Sequence, residues 1–288
     1  MFRTIVSLFL FGALSPVSVP FQVGSSLPGL LEVAPPPTTS AFRVGSDFSA
    51  SGAIVLDLLS GKELYARAPD EPRSIASLAK IMTAIVIVER HKLDEVVTVP
   101  ADIGVISGSS AGLQGGEKYS VKDLLGALLV GSANDAAYTL ALFHSGTMER
   151  FAQEMNARAE ALGLERTHFE NPMGFDSAGQ ESTPRDLAWL TMFAWKNETL
   201  RSYASRREYV LSERGNARTI TLGNTNQLLF SHPGNFFGLK TGTTELAGEC
   251  LISLAYSGGR PYIFVILKSS NRYDDTLHLL RSLSRKHA

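Results

Sequence analysis

Ser77-Leu78-Ala79-Lys80 places a hydroxyl and an amine three residues apart. On a helix, positions i and i+3 share a face, so the two side chains can meet. A serine hydroxyl is a weak nucleophile until an adjacent base takes its proton. A lysine amine serves as that base only if its pKa is lowered, which burial and a second nearby cation both do. With 30 serines and 9 lysines in 288 residues, about one S-x-x-K arises by chance. The placement adds weight, because the flanking residues are apolar and an unpaired buried lysine is costly.

Two further short motifs could do chemistry. Ser132-Ala133-Asn134 lies at a break between two helical runs, where a loop could aim both polar side chains into a cleft. The competing reading is a helix cap, since Ser132, Asn134 and Asp135 are all good capping residues ahead of Ala136. Lys240-Thr241-Gly242 is rarer by chance, with about 0.05 occurrences expected from the composition. A strand lysine facing a cleft binds a carboxylate as a point charge, and a glycine beside it admits a second backbone. The alternative there is an edge lysine that discourages strand-to-strand aggregation.

The elements that must position these residues follow from pattern. Gly52 to Leu58 and Lys62 to Ala66 flank Leu59-Ser60-Gly61 and read as a hairpin. Ser74 to Glu89 reads as one long helix, apolar on nearly every side and therefore central. Val121 to Leu142 holds two helical runs that meet at Gly131. Met148 to Leu162 is amphipathic and stops at Gly163. Thr183 caps the next helix, with Pro184 at its first position. Arg207 to Ser212 and Arg218 to Leu222 are strand candidates. Gly248 to Tyr256 and Pro261 to Lys268 are stronger ones, joined across Ser257-Gly258-Gly259 and following directly on the K-T-G. Asp274 to Lys286 closes the chain as a helix. Strands at both ends with helices between predict an α+β fold: an antiparallel sheet flanked by helices, with an all-helical lobe inserted.

Composition narrows the function classes. Lysine plus arginine is 27 against 28 acids, a net charge of −1, so nothing in bulk electrostatics favours nucleic acid as a partner. A single cysteine, Cys250, excludes an internal disulfide and a cysteine-based zinc site. As a lone cysteine in an apolar strand it reads as packing. Arg3 and the apolar run from Ile5 to Leu14 read as a secretory signal peptide over residues 1–23, too short for a transmembrane span. An uncleaved anchor or a plain tail is the alternative. Residues 24–48, with Pro35, Pro36 and Pro37, read as a Pro-rich linker, and residues 49–288 as the folded domain.

Taken together, S-x-x-K, S-x-N and K-T-G occur in order, with 55 and 108 residues between their first members. That trio is the signature of penicillin-binding proteins and class A β-lactamases. The chain resembles the low-molecular-mass penicillin-binding proteins, serine-type D-alanyl-D-alanine carboxypeptidases. Further stretches carry the likeness: Ala76 to Ala84, Ser132 to Ala137, Asn171-Pro-Met-Gly, Ser182-Thr-Pro-Arg-Asp-Leu-Ala, Asn224 to Leu229 and Gly238 to Cys250.

The resemblance implies a β-lactamase/transpeptidase-like fold and a set of roles. Ser77 would attack the penultimate D-alanine carbonyl, with Lys80 as general base. Ser132 would relay a proton to the leaving amine, and Asn134 would bond the substrate backbone and hold Lys80. The Lys240-Thr241-Gly242 strand would take the substrate as an added strand, with Lys240 and Thr241 near its carboxylate. The backbone N–H groups of Ser77 and Thr243 would form the oxyanion hole, and Arg272 would help fix the carboxylate. Peptidoglycan stem peptides would be the substrates and β-lactam antibiotics covalent inhibitors, in a periplasmic or extracytoplasmic setting. No cofactor or metal is expected, since none of the six histidines falls in an HExxH.

Only 48 residues follow Lys240, so the second β-rich domain and amphipathic anchor of many such carboxypeptidases are not expected. A D,D-endopeptidase that cuts peptidoglycan cross-links therefore stays open, and Asn134-Asp135 leans towards the carboxypeptidase pattern. A serine β-lactamase would need a deacylating glutamate before K-T-G. Glu181 lies in that interval, but its neighbours match the peptidases. A silent peptidoglycan-binding module would be expected to have lost a catalytic side chain, and none is lost.

Overall fold

Strand β11 owes its length to an unbroken apolar run and β10 to one broken only by Ser253, which only a sheet covered on both faces can bury. The computed structural model describes residues 42, 44–215 and 218–287. The expected signal peptide over 1–23 lies outside the described residues, as does most of the expected linker over 24–48. The chain begins with β1 (Gly52–Asp57), β2 (Glu63–Arg67) and β3 (Arg73–Ser74), then a 3-10 turn (Ala76–Ala79) and α1 (Lys80–Arg90). It continues through β4 (Val96–Thr98), β5 (Lys118–Ser120), α2 (Val121–Leu129), α3 (Asn134–Ser145), α4 (Met148–Ala161) and β6 (Glu181–Ser182). Next come α5 (Pro184–Lys196), α6 (Glu198–Ala204), β7 (Glu208–Ser212), β8 (Thr219–Gly223) and α7 (Leu228–Ser231). Strands β9 (Phe236–Thr244), β10 (Gly248–Ser257) and β11 (Arg260–Ser269) and helix α8 (Arg272–His287) complete it.

The central sheet is antiparallel, in the order β2-β1-β11-β10-β9. The amino-terminal hairpin thus joins the carboxy-terminal strands, as the α+β reading expects. The hairpin turns where the Asp57 carboxylate accepts from the backbone N–H groups of Leu59 and Ser60, and Gly61 takes φ +69°. Alternate residues of each strand serve two cores. Ala53, Val55, Phe264 and Ile266 pack with Leu279 and Leu283 of α8. Ile54, Leu56, Ile263 and Val265 pack with Leu187 of α5 and with the helical lobe. At roughly 1.5–3 kcal/mol for each large apolar side chain buried, these two layers hold the strand ends in place. Phe48 is buried and Phe42 stacks on Tyr65, so packing reaches back past Ser49. No helix among the described residues is long and apolar enough to cross a membrane.

Two expectations are corrected. The single helix from Ser74 to Glu89 is three pieces: Ser74 pairs with Glu181 between β3 and β6, Ala76–Ala79 is a 3-10 turn, and α1 starts only at Lys80. Ala76 takes φ +48°, which no α-helix accommodates. Apolar periodicity reports burial and is blind to such a break. The K-T-G, set ahead of a strand by pattern but on a strand by the resemblance, lies inside β9, which forms one edge of the sheet. Two glycines within Phe236–Thr244 dilute the strand pattern there.

Candidate active site

The 3-10 turn presents Ser77 at the foot of α1, wedged between two glycines. A Cβ on Gly174 would stand 2.0 Å from the Ala76 carbonyl oxygen, and one on Gly242 would stand 3.0 Å from the Ser77 nitrogen. Both positions thus need glycine so that a second backbone can come close. The Ser77 N–H is brought beside β9 in this way.

Lys80 is fully buried, and its Nζ has three neighbours. Asn134 Oδ1 is 2.7 Å away, the Met173 carbonyl oxygen 2.6 Å and Ser77 Oγ 2.8 Å. Burial, and then the positive charge of Lys240, push the Lys80 pKa well below the ordinary lysine value, while Asp135 pulls it up. A neutral amine has two N–H donors and one lone pair. The two pure acceptors, Asn134 Oδ1 and Met173 O, take both donors. The lone pair is left for the Ser77 hydroxyl.

Ser132 sits between α2 and α3 with φ +59°, a conformation uncommon outside glycine. The cap reading fails there: Ala133 is the residue at the N-cap of α3, and no side chain caps it. Lys240 Nζ donates to Ser132 Oγ at 2.7 Å and to the Thr241 carbonyl at 2.8 Å. Burial, and then Arg272, bring the Lys240 pKa down to about 7. Asn134 donates through Nδ2 to the Ser107 carbonyl at 2.7 Å, which fixes its oxygen towards Lys80.

Further along β9, the Thr241 hydroxyl donates to Thr225 Oγ1 at 2.6 Å. Arg272, the first residue of α8, donates to the Gly242 and Cys250 carbonyls and, through its other terminal nitrogen, to Thr243 Oγ1 at 2.7 Å. Glu249 lies 3.3 Å from Arg272 Nε. Cys250 itself is buried in β10, its thiol pushed up to about 11 by desolvation. Lys80 thus binds Ser77 and Asn134, and Lys240 binds Ser132 close enough to act on Lys80 by charge, with Thr241, Gly242 and Thr243 along the adjoining edge strand and Arg272 of α8 beside it. Glu181 is exposed in β6, opposite Ser74. Among the described residues, no group of three or more His, Cys, Asp and Glu side chains is placed to hold a metal ion.

Three participants escaped the sequence reading: the Met173 carbonyl, the Ser107 carbonyl and Thr225. Two of them act through backbone oxygen, which every residue has. The Asn171-Pro-Met-Gly stretch carried a signal for Met173, and the Asn224 to Leu229 stretch one for Thr225. Asn171 Oδ1 accepts from the backbone of Gly174 and Phe175 and so shapes the turn that presents Met173.

What this site can do is offer a hydroxyl to a buried amine whose proton affinity is lowered, beside a strand edge, with two more cations close by. Residues 38–271 match the family model described as D-alanyl-D-alanine carboxypeptidase, peptidase S11. The D-alanyl-D-alanine carboxypeptidase DacF of Bacillus subtilis is 33% identical over 226 residues, covering 77% of this chain and 58% of that protein. This chain thus spans less than two thirds of DacF. A D-alanyl-D-alanine endopeptidase of Pseudomonas aeruginosa is 32% identical over 242 residues, covering 83% of this chain and 78% of that protein. Among solved structures, the Streptomyces K15 DD-transpeptidase superposes with a TM-score of 0.77 at 33% identity, covering 86% of this chain and 98% of the other.

Proposed function

The chain belongs to the D-alanyl-D-alanine carboxypeptidase family, peptidase S11, and on that footing we propose that it releases the terminal D-alanine of peptidoglycan stem peptides through an acyl-enzyme on Ser77. The observation that carries this reading is the buried Lys80 amine, whose Nζ lies 2.8 Å from Ser77 Oγ while Asn134 Oδ1 and the Met173 carbonyl take its other two bonds.

The substrate lies as an added strand along β9, its carboxylate near Lys240, Thr241 and Arg272. Ser77 Oγ attacks the penultimate D-alanine carbonyl as its proton passes to Lys80 Nζ. The oxyanion is held by the backbone N–H groups of Ser77 and Thr243. The C–N bond then breaks. The leaving amine takes the Ser132 hydroxyl proton, and Lys240 replaces it. Acylation therefore ends with one proton moved from Lys240 to Lys80, and its return readies Lys80 for the next half. Water attacks the ester, Lys80 takes the water proton, and Ser77 recovers it as the ester bond breaks. Penicillin enters the same first step and stalls at the acyl-enzyme. Because the substrate is cell-wall material, the enzyme acts outside the cytoplasm, with Arg3 to Leu14 as its export signal.

A second reading, cleavage of D-alanyl cross-links, is favoured by the similarity to the Pseudomonas endopeptidase, which extends over more of that protein than the similarity to DacF does. The test is a penicillin time course followed by intact mass and peptide mapping. A long-lived adduct on Ser77, absent in Ser77→Ala, is the expected result. Rapid drug turnover would point to a β-lactamase, and no adduct on folded protein to a silent module. Digestion of linear and cross-linked muropeptides then separates carboxypeptidase from endopeptidase.

A further inference from the structure

Asp135 follows Asn134 directly, yet the reaction above gives it no task. It is buried, with 2% of its surface exposed, and it is surrounded by donors. Its carboxylate accepts from Ser110 Oγ at 2.6 Å and from the backbone N–H groups of Ala111 and Leu113, both at 3.0 Å. It also accepts from Ala136 N at 2.9 Å, at the start of its own helix. Four donors on one carboxylate make a rigid anchor, since hydrogen bonds to an ionised acceptor are shorter and stronger than neutral ones.

The anchored segment folds back on Asn134. The Ser109 carbonyl accepts from the Asn134 backbone N–H at 2.7 Å, and the Ser107 carbonyl accepts from its side-chain Nδ2 at 2.7 Å. Between them, Gly108 takes φ +82°, and a Cβ there would stand 2.8 Å from Asn134 Nδ2. An amide side chain presents its oxygen correctly only if its nitrogen finds an acceptor. The Ser107 carbonyl is that acceptor, and Asp135 fixes the segment that supplies it. We propose that Asp135 is a positioning residue for the acylation step: through the Ser107–Leu113 segment it holds the Asn134 carboxamide oxygen against Lys80.

The charges around the site agree with this placement. The charged groups acting on Lys80 are Lys240 from β9, which favours the neutral amine, and Asp135 from α3, which opposes it. Ser77, Asn134 and the Met173 carbonyl are uncharged. Removing the Asp135 charge therefore moves Lys80 further towards its neutral form. This assignment rests on the reading of Ser77 as nucleophile and Lys80 as base.

The experiment measures the benzylpenicillin acylation rate of the full chain against pH for wild type, Asp135→Asn and Ser110→Ala, with melting curves alongside. Acylation of wild type at Ser77 tests the underlying reading. Without it both readings fall, and with it the variants test Asp135 alone. Asp135→Asn should slow acylation by about tenfold or more, as losses of supporting partners do. Its acid limb should move to lower pH by roughly half a unit. Ser110→Ala, which loosens the segment and keeps the charge, should slow acylation without moving that limb. A folded Asp135→Asn with wild-type rate and acid limb would overturn the proposal. So would a uniform slowing with the limb unmoved. If Asp135→Asn does not fold, an unchanged acylation rate in Ser110→Ala overturns it instead.

Discussion

Two buried lysines close enough to repel cannot both hold their protons easily, and the site around Ser77 depends on that. Lys80 is depressed by burial first and by Lys240 second, and Lys240 by burial first and by Arg272 second. The acylation rate should rise with pH as Lys80 loses its proton. It should fall again as Lys240 loses the proton that Ser132 passes on, near pH 7 in the free protein. A pH profile of kcat/KM checks this, and Lys240→Gln should remove the alkaline limb while lowering the rate. The same depression links folding to pH. Unfolded Lys240 has the ordinary value of 10.5 and binds a proton that the folded form sheds at about 7. The stability present above the unfolded value is therefore lost as pH falls through that window. The melting difference between wild type and Lys240→Met should favour wild type more at pH 10 than at pH 7, as calorimetry would show. The Ser77–Lys80 pair was legible in the sequence because S-x-x-K is followed in order by S-x-N and K-T-G, although S-x-x-K alone is expected about once by chance. The Met173 and Ser107 carbonyls were not, since a backbone oxygen has no letter.

The 3-10 turn between β3 and α1 is the element that aims Ser77, and three segments lock it. Asn171-Pro-Met-Gly lies under it, β9 beside it, and β6 pairs the strand before it. Gly174→Ala would put a methyl carbon 2.0 Å from the Ala76 oxygen at a φ of +86°. It should cost at least about 2 kcal/mol and most of the acylation rate, measured by denaturant titration and penicillin labelling. The helices and strands that pack by period were readable: α4 stops at Gly163, α5 opens with Thr183 and Pro184, and β10 and β11 turn at Gly258-Gly259. The turn at Ser77 was read as helix because its apolar residues are buried whichever backbone carries them. The edge position of β9 was not readable as geometry either, since strand order depends on pairings between residues far apart in the chain.

At the scale of the whole molecule, both ends of the described domain meet on one buried carboxylate. Asp275 accepts from the backbone N–H and hydroxyl of Ser49, at 2.9 and 2.8 Å, and from the Ser269 hydroxyl at 2.6 Å. Asp275→Ala strands these donors and should cost roughly 2–3 kcal/mol. The melting temperature should fall by about 5–10 °C, with the acylation rate well below that temperature unchanged. The sheet explains the coupling: β1 sits between β2 and β11, so the first strands of the domain are held by the last. The sequence by itself determined the chemistry on offer, a serine with a lysine three residues on and two more polar motifs in a telling order. It also determined the elements that repeat with a period, because side-chain type and spacing are local properties. Tertiary structure alone decided that residues 55 and 108 positions apart share one site, and that Lys80 Nζ lies 2.8 Å from Ser77 Oγ with Asn134 Oδ1 and the Met173 carbonyl as its other partners. It also decided that a carboxylate next to Asn134 braces the segment opposite. Those facts depend on which backbones approach one another, and close approach is fixed by glycines and carbonyls whose partners the linear order does not reveal.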